Sequence, residues 1–173
     1  SAEVLLQLHQ SLLARGIYPQ DYLKQEFDYI RSAIAPWERD AYLSMERTGR
    51  VIPLDQPFRR QVLEGLVGWE KLMTFVGAVD ATGITTALYQ HLGELTTEYR
   101  CVLVDEVQDF GTLELAVIRR LVPELENDIF LCGDAAQSVY TKFHDFLAAK
   151  INLTGRYMRL NQNYRNSRQI LAA

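Results

Sequence analysis

From the N-terminus to about Leu95, apolar residues recur every three or four positions, the spacing of helices that bury one face. Leu5, Leu6, Leu8, Leu12 and Leu13 form a first stripe, stopped at Gly16. Tyr22, Leu23, Phe27, Ile30 and Ile34 form a second, ended by Pro36. Trp37, Ala41, Tyr42 and Met45 predict a third helix that ends near Gly49. Pro53 and Pro57 punctuate a loop, and a longer helix is expected over Phe58 to Phe75. Gly65 and Gly68 weaken that helix, each by about 1 kcal/mol relative to alanine. Another helix fits Ile84 to Leu95.

The pattern then changes from stripes to short apolar runs. Tyr99 to Val104 reads as a strand, with Cys101 to Val104 as its apolar core, ending abruptly in Asp105, Glu106, Gln108 and Asp109. A continuous apolar run of this kind predicts a strand of a parallel sheet covered on both faces. Leu113 to Leu121 is helical, with Pro123 just beyond, and Asp128 to Cys132 is a second strand stopped by Gly133-Asp134. Strand, helix, strand at this spacing is a βαβ unit with parallel strands. A short helix over Phe143 to Ala149 and a third strand over Tyr157 to Leu160 are expected next. Asn166-Ser167 reads as the cap of a helix starting near Arg168. The fold class is therefore α/β, with a mostly helical first part and a parallel sheet after it.

Composition narrows the picture. A chain of 173 residues, 48% hydrophobic and 23% charged, is one globular domain or parts of two. No apolar stretch is long enough to span a bilayer and no signal peptide is apparent, so a cytoplasmic location is the expectation. Cys101 and Cys132 lie in apolar runs and are expected to be buried, reduced thiols. His9, His91 and His144 are scattered without ligand spacing. A net charge of −4 excludes a uniformly basic nucleic-acid coat, although a few well-placed cations suffice to grip phosphates. Arg47, Arg50, Arg59 and Arg60 form a modest basic cluster, expected as a solvated helix face rather than such a groove.

Candidate chemistry sits at the ends of the predicted strands. The segments are Val104-Asp105-Glu106-Val107-Gln108-Asp109, then Gly133-Asp134-Ala135-Ala136-Gln137-Ser138-Val139-Tyr140, then Asn161-Gln162-Asn163-Tyr164-Arg165. One acidic strand end is a weak sign, because exposed turns commonly carry Asp and Glu. Three polar strand ends in one chain are harder to explain as solvated turns. The carboxyl edge of an open α/β sheet is where such folds bind ligands, and paired carboxylates there suit magnesium and an attacking water at a nucleotide phosphate.

In order and content these segments resemble motifs II, III and IV of superfamily 1 helicases of the UvrD/Rep type. The helical first part resembles the insertion inside the first motor domain of that family, most closely at Arg47-Thr48-Gly49-Arg50-Val51-Ile52-Pro53-Leu54. The resemblance implies a partial RecA-like P-loop NTPase core. Residues 1–78 would be the helical insertion, 79–155 the C-terminal half of the first motor domain, and 156–173 the start of the second. It implies ATP and magnesium as cofactors, and single-stranded or partly duplex DNA and the remainder of the motor as partners.

The residue roles follow from the resemblance. Asp105, with Glu106, would hold magnesium, and Glu106 would orient or deprotonate the attacking water. Gln137 would contact the γ-phosphate and report its loss to the DNA groove. Arg165 would reach that phosphate as an arginine finger, and Tyr164 would stack on the adenine. Tyr140 would stack on a base of single-stranded DNA. The family usually carries a tryptophan two residues after this tyrosine; here Lys142 stands in its place and Phe143 follows, so Phe143 is the substitute candidate. Blander roles stay open: a turn amide for Gln137, core packing for Tyr140 and Tyr164.

A helicase of this kind also needs the loop G-x-x-x-x-G-K-[ST], whose amides and lysine cradle phosphates. No glycine of this chain is followed by lysine. The expectation is a piece of an ATP-dependent helicase, 3′-to-5′ as the resemblance implies, that lacks activity by itself. A degenerate, non-hydrolysing DNA- or protein-binding module is the alternative. A helicase-like segment inside a larger repair nuclease is a third reading, though no nuclease carboxylate–lysine cluster is visible.

Overall fold

The computed structural model describes residues 9–10, 12–16, 18–50, 52–97, 99–134, 142–160 and 162. Helix α1 (Pro19–Ala33) starts at a proline, which has no N–H to leave unsatisfied, and carries Asp21 in its first turn and Arg31 in its last. Ile34 leaves the helix in extended conformation ahead of Pro36. Helix α2 (Gln56–Phe75) is capped by Asp55, whose carboxylate accepts the Phe58 N–H at 3.0 Å. Helix α3 (Ala81–Gln90) is capped in the same way by Asp80 at the Gly83 N–H, 2.8 Å away. Helix α4 (Thr112–Arg120) is closed from inside, Glu114 accepting the Gly111 N–H at 2.7 Å.

Strands β1 (Val102–Val104) and β2 (Ile129–Leu131) pair in parallel, with Leu103 opposite Phe130. The βαβ unit is thus present, joined through α4. Among the described residues the molecule is a mostly helical small domain with this two-stranded parallel sheet.

Two apolar clusters hold it together. One joins α1 and α2 through Tyr22, Ile30, Tyr42, Phe58, Val62 and Leu66. The other packs Leu115 and Ala116 of α4 against Ala149 and Ile151. They meet along a polar seam at the end of α1. Arg31 makes a bidentate pair with Asp80 at 2.6 and 2.7 Å and lies over the Trp69 ring. Ser32 Oγ accepts the Phe143 N–H at 3.1 Å, and a β-carbon at Gly111 would collide with Ser32.

Several expectations need correction. The third helix is a 3-10 segment, Pro36–Leu43, and Trp37 is exposed, stacked on Tyr89. The predicted helix to Leu95 stops at Gln90, followed by a short 3-10 turn over Leu92–Glu94. Residues 146–150 form turns rather than a helix, and Tyr157, Met158 and Leu160 are exposed coil rather than a strand. The sheet is not covered on both faces: Leu103 and Phe130 are 74% and 60% exposed, because no described element packs over them. For the same reason Cys101 and Cys132 are free but exposed.

The basic cluster is corrected most sharply. Arg47, Arg50 and Arg59 do not make a solvated face. Arg47 and Arg50 both pair with Glu26 at the centre of the helical part, and Arg59 donates to the Tyr42, Met45 and Leu54 carbonyls. Backbone carbonyls freed by the 3-10 segment and the loop after it, together with one buried carboxylate, provide a denser acceptor set than water would. Leu5, Leu6, Leu8, the Asn166-Ser167 cap and the helix from Arg168 lie outside the described residues. No helix among the described residues is long and apolar enough to cross a membrane.

Candidate functional site

The parallel register sets the site. The Val102 N–H donates to Asp128 O at 2.8 Å and the Cys132 N–H to Val104 O at 2.9 Å. The ladder then runs past the strands, with the Val107 N–H donating to Cys132 O at 3.0 Å. The first two polar strand ends therefore lie side by side at the carboxyl edge of the sheet, as the sequence pattern led one to expect.

Asp105 and Glu106 are both exposed at this edge. Asp105 Oδ1 accepts from the Cys132 thiol at 3.0 Å and from the Glu106 N–H at 2.8 Å. Those two donors hold the Asp105 carboxyl below its ordinary pKa, the thiol contributing most; the same contact pushes the Cys132 thiol up. Glu106 is in the left-handed region, φ 53° and ψ 42°, a conformation that non-glycine residues seldom adopt and that costs on the order of 1 kcal/mol or more. The chain turns sharply there into a 3-10 segment, Val107–Asp109.

Gln108, to which the sequence reading gives no role of its own, is buried between the two strand ends. Its Nε2 donates to Glu106 Oε2 at 2.6 Å and its Oε1 accepts the Asp134 N–H at 3.0 Å. A β-carbon on Gly133 would overlap Gln108 Oε1, so glycine is required for this approach. The available signal was an amide set among four acids in two adjacent segments, one of which opens with glycine.

Phe143 is half-buried, its ring edge-on to Tyr29 at 5.6 Å and its carbonyl accepting the Thr112 N–H at 3.1 Å. Lys142 pairs with both oxygens of Glu114 at 2.7 and 2.8 Å. Gln137, Tyr140, Tyr164 and Arg165 lie outside the described residues. Of the sequence-predicted residues, Asp105 and Glu106 share the sheet edge, while Phe143 stands at the seam with α1. A separate groove on the described surface runs between Tyr89, Arg119, Arg120 and Lys150, none of which the sequence singled out.

A family model described as "UvrD/REP helicase N-terminal domain" matches residues 9–157. The chain is also similar to an ATP-dependent helicase/nuclease subunit of Lactobacillus helveticus (strain DPC 4571), 22% identical over 168 residues. That alignment covers 84% of this chain and 14% of the relative, so the chain spans about a seventh of the relative's length. No solved structure matches.

Proposed function

The chain belongs to the UvrD/REP helicase N-terminal domain family, and from that premise we propose that it is part of a cytoplasmic ATP-dependent DNA helicase or translocase that couples hydrolysis of magnesium-ATP to 3′-to-5′ movement on single-stranded DNA. The observation that carries this reading is the lateral pairing of the Asp105-Glu106 turn with the segment around Cys132, which leads directly into Gly133-Asp134. Phosphoryl transfer in such motors is mainly positioning and charge stabilisation. A sheet edge that fixes two carboxylates beside the next strand's outgoing chain suits that task.

In this reading residues 1–78 are the helical insertion, 79–155 belong to the first RecA-like motor domain and 156–173 begin the second. Asp105 is the metal-binding carboxylate, supported by Glu106. Magnesium takes one or two protein carboxylates and fills its remaining positions with water and phosphate, where it neutralises developing charge. That demand fits an exposed, readily ionised Asp105, and no group of three His, Cys, Asp or Glu gathers among the described residues. Glu106 orients the attacking water and accepts its proton. Gln137 and Arg165 act on the terminal phosphate and Tyr164 on the base of ATP. Tyr140 meets single-stranded DNA by stacking, a sequence-tolerant contact. Phe143, half-buried with its ring edge-on to Tyr29, follows Tyr140 by three positions in the sequence and shares in the contact.

The phosphate-cradling loop is supplied by the remainder of the motor, so the 173-residue chain alone does not turn over ATP. Similarity to a helicase/nuclease protein favours a second reading of the context, in which the motor works beside a nuclease activity in one assembly.

The test is Glu106→Gln in the full-length protein. Nucleotide binding should persist while DNA-stimulated hydrolysis falls about 10²-fold or more. Near-normal turnover in this variant would remove Glu106 from its role, and absence of DNA-stimulated hydrolysis in the wild-type full-length protein would remove the motor reading.

A further inference from the structure

We propose that Gln108 is a positioning residue for hydrolysis, holding the Glu106 carboxylate in register with the strand end after β2. The proposal rests on the reading of Glu106 as the residue that orients the attacking water.

Three observations carry it. Gln108 is 5% exposed although the residues on either side of it in space, Glu106 and Asp134, are exposed. Its two amide atoms face opposite ways, Nε2 to Glu106 Oε2 at 2.6 Å and Oε1 to the Asp134 N–H at 3.0 Å. Gly133 leaves no room for a β-carbon against that amide, so the close approach is built into the backbone.

An amide is the side chain of this length that donates to a carboxylate while accepting from a backbone N–H. Glutamate would still accept from Asp134 but would set a second carboxylate against Glu106. Leucine would keep most of the volume and neither bond. The reverse orientation of the amide would point an oxygen at a carboxylate and an NH₂ at an N–H, so the network fixes which atom goes where.

Glu106 has a particular need of such a tether. Its backbone is left-handed, and its side chain leaves an exposed turn rather than a regular strand or helix. A carboxylate with free rotation would lose the alignment that an in-line attack demands. Gln108 removes that freedom by gripping one oxygen, leaving Oε1 for the water. Because the same amide is fixed to Asp134, a shift of the Gly133-Asp134 backbone must move Gln108, and Gln108 must release or drag Glu106. Nucleotide state at one strand end is thereby tied to the catalytic carboxylate at the other.

The experiment measures DNA-stimulated ATP hydrolysis by the full-length protein, comparing wild type, Gln108→Leu, Gln108→Glu and Glu106→Gln. Both Gln108 variants should lower kcat about tenfold or more, a loss of about 1.4 kcal/mol in transition-state stabilisation, with KM for magnesium-ATP within about twofold. Gln108→Glu keeps the side-chain length and the Asp134 bond, so it serves even where Gln108→Leu does not fold. A kcat within about twofold of wild type in Gln108→Glu, alongside an inactive Glu106→Gln, overturns the positioning role and leaves the role of Glu106 intact. A raised KM with unchanged kcat also overturns it, by assigning Gln108 to nucleotide binding. An active Glu106→Gln would instead refute the underlying reading.

Discussion

Arg47 closes a bidentate ion pair on Glu26, its Nε 2.7 Å from Oε1 and its Nη2 2.8 Å from Oε2, with the Glu26 side chain wholly buried. Tyr42 donates to the same carboxylate at 2.5 Å, Arg50 adds a second guanidinium at 2.8 Å, and Arg47 also donates to Ile52 O and Tyr22 Oη. One carboxylate thus anchors α1, the 3-10 segment and the loop before α2. A buried charge stripped of its partner is far costlier than a buried pair.

Glu26→Gln should therefore destabilise the chain by about 3–5 kcal/mol, since it leaves two enclosed guanidinium groups facing a neutral amide. Urea denaturation at neutral pH would show the midpoint falling with the slope unchanged. A loss below about 1 kcal/mol would mean that the arginines find water instead.

The acid limb of stability should report the same group. Burial alone would raise the Glu26 carboxyl, but hydrogen bonds from Arg47 and Tyr42 and the charge of Arg50 outweigh it and leave the value below the ordinary 4.5. Asp80 is likewise lowered, chiefly by its hydrogen bond from Arg31. A depressed folded value means that the contribution is complete above the unfolded value and disappears as pH falls through the folded one. Stability should hold from neutrality to about pH 5 and drop below about 4.5, and Glu26→Gln should flatten that drop.

The alkaline limb has the opposite sign. Burial pushes Tyr29 from 10.0 up to about 12, and Tyr42 is raised further by burial and by Glu26. Their contribution is complete below pH 10 and is lost as pH rises through the folded values. Ultraviolet titration should find these tyrosines ionising only with unfolding, and Tyr42→Phe should remove part of the late component.

Asp80 has two tasks, capping α3 and receiving Arg31 across the seam. Asp80→Ala should cost about 2 kcal/mol, roughly half from the cap; the share of the ion pair is discounted because the Asp80 side chain is 38% exposed. Asp80→Asn keeps a capping oxygen and should lose only the smaller, salt-sensitive part. Equal losses in the two variants, measured by thermal melts at low and high salt, would argue against this division.

The bare sheet face should be adhesive. Leu103 and Phe130 lie opposite each other in register and are both largely exposed, a patch of the kind that drives association. Light scattering of the 173-residue chain should show self-association that falls when Leu103→Lys and Phe130→Glu are combined. Their opposite charges face each other across the strand pair, so the sheet itself should survive.

Much of the fold was legible because its signals are local. Pro36 and Pro123 announce helix stops, apolar spacing announces the helix that ends at Phe75, and the runs around Val102–Val104 and Ile129–Leu131 announce strands joined by a helix. The polar strand ends were legible for the same reason, and family membership bears out the resemblance they carried. The 3-10 character of Pro36–Leu43 was not, because its apolar spacing is compatible with an α-helix and only packing chose the tighter form. Nor was the loss of the strand over Tyr157 to Leu160, since strand propensity has effect only where a partner edge is present.

By itself, then, the sequence determined the approximate places of the helices over Pro19–Ala33, Gln56–Phe75 and Thr112–Arg120, the two strands, and which residues follow β1 and β2 at the carboxyl edge of the sheet, because periodicity and turn chemistry act within a few positions. Only the tertiary structure decided that Arg47 and Arg50 go inward to Glu26, more than twenty positions away, that Gln108 bridges two strand ends, and that Leu103 and Phe130 face solvent. Charge pairing, amide bridging and burial are settled by which distant surfaces meet, and nothing in the neighbouring residues of a chain encodes that meeting on its own.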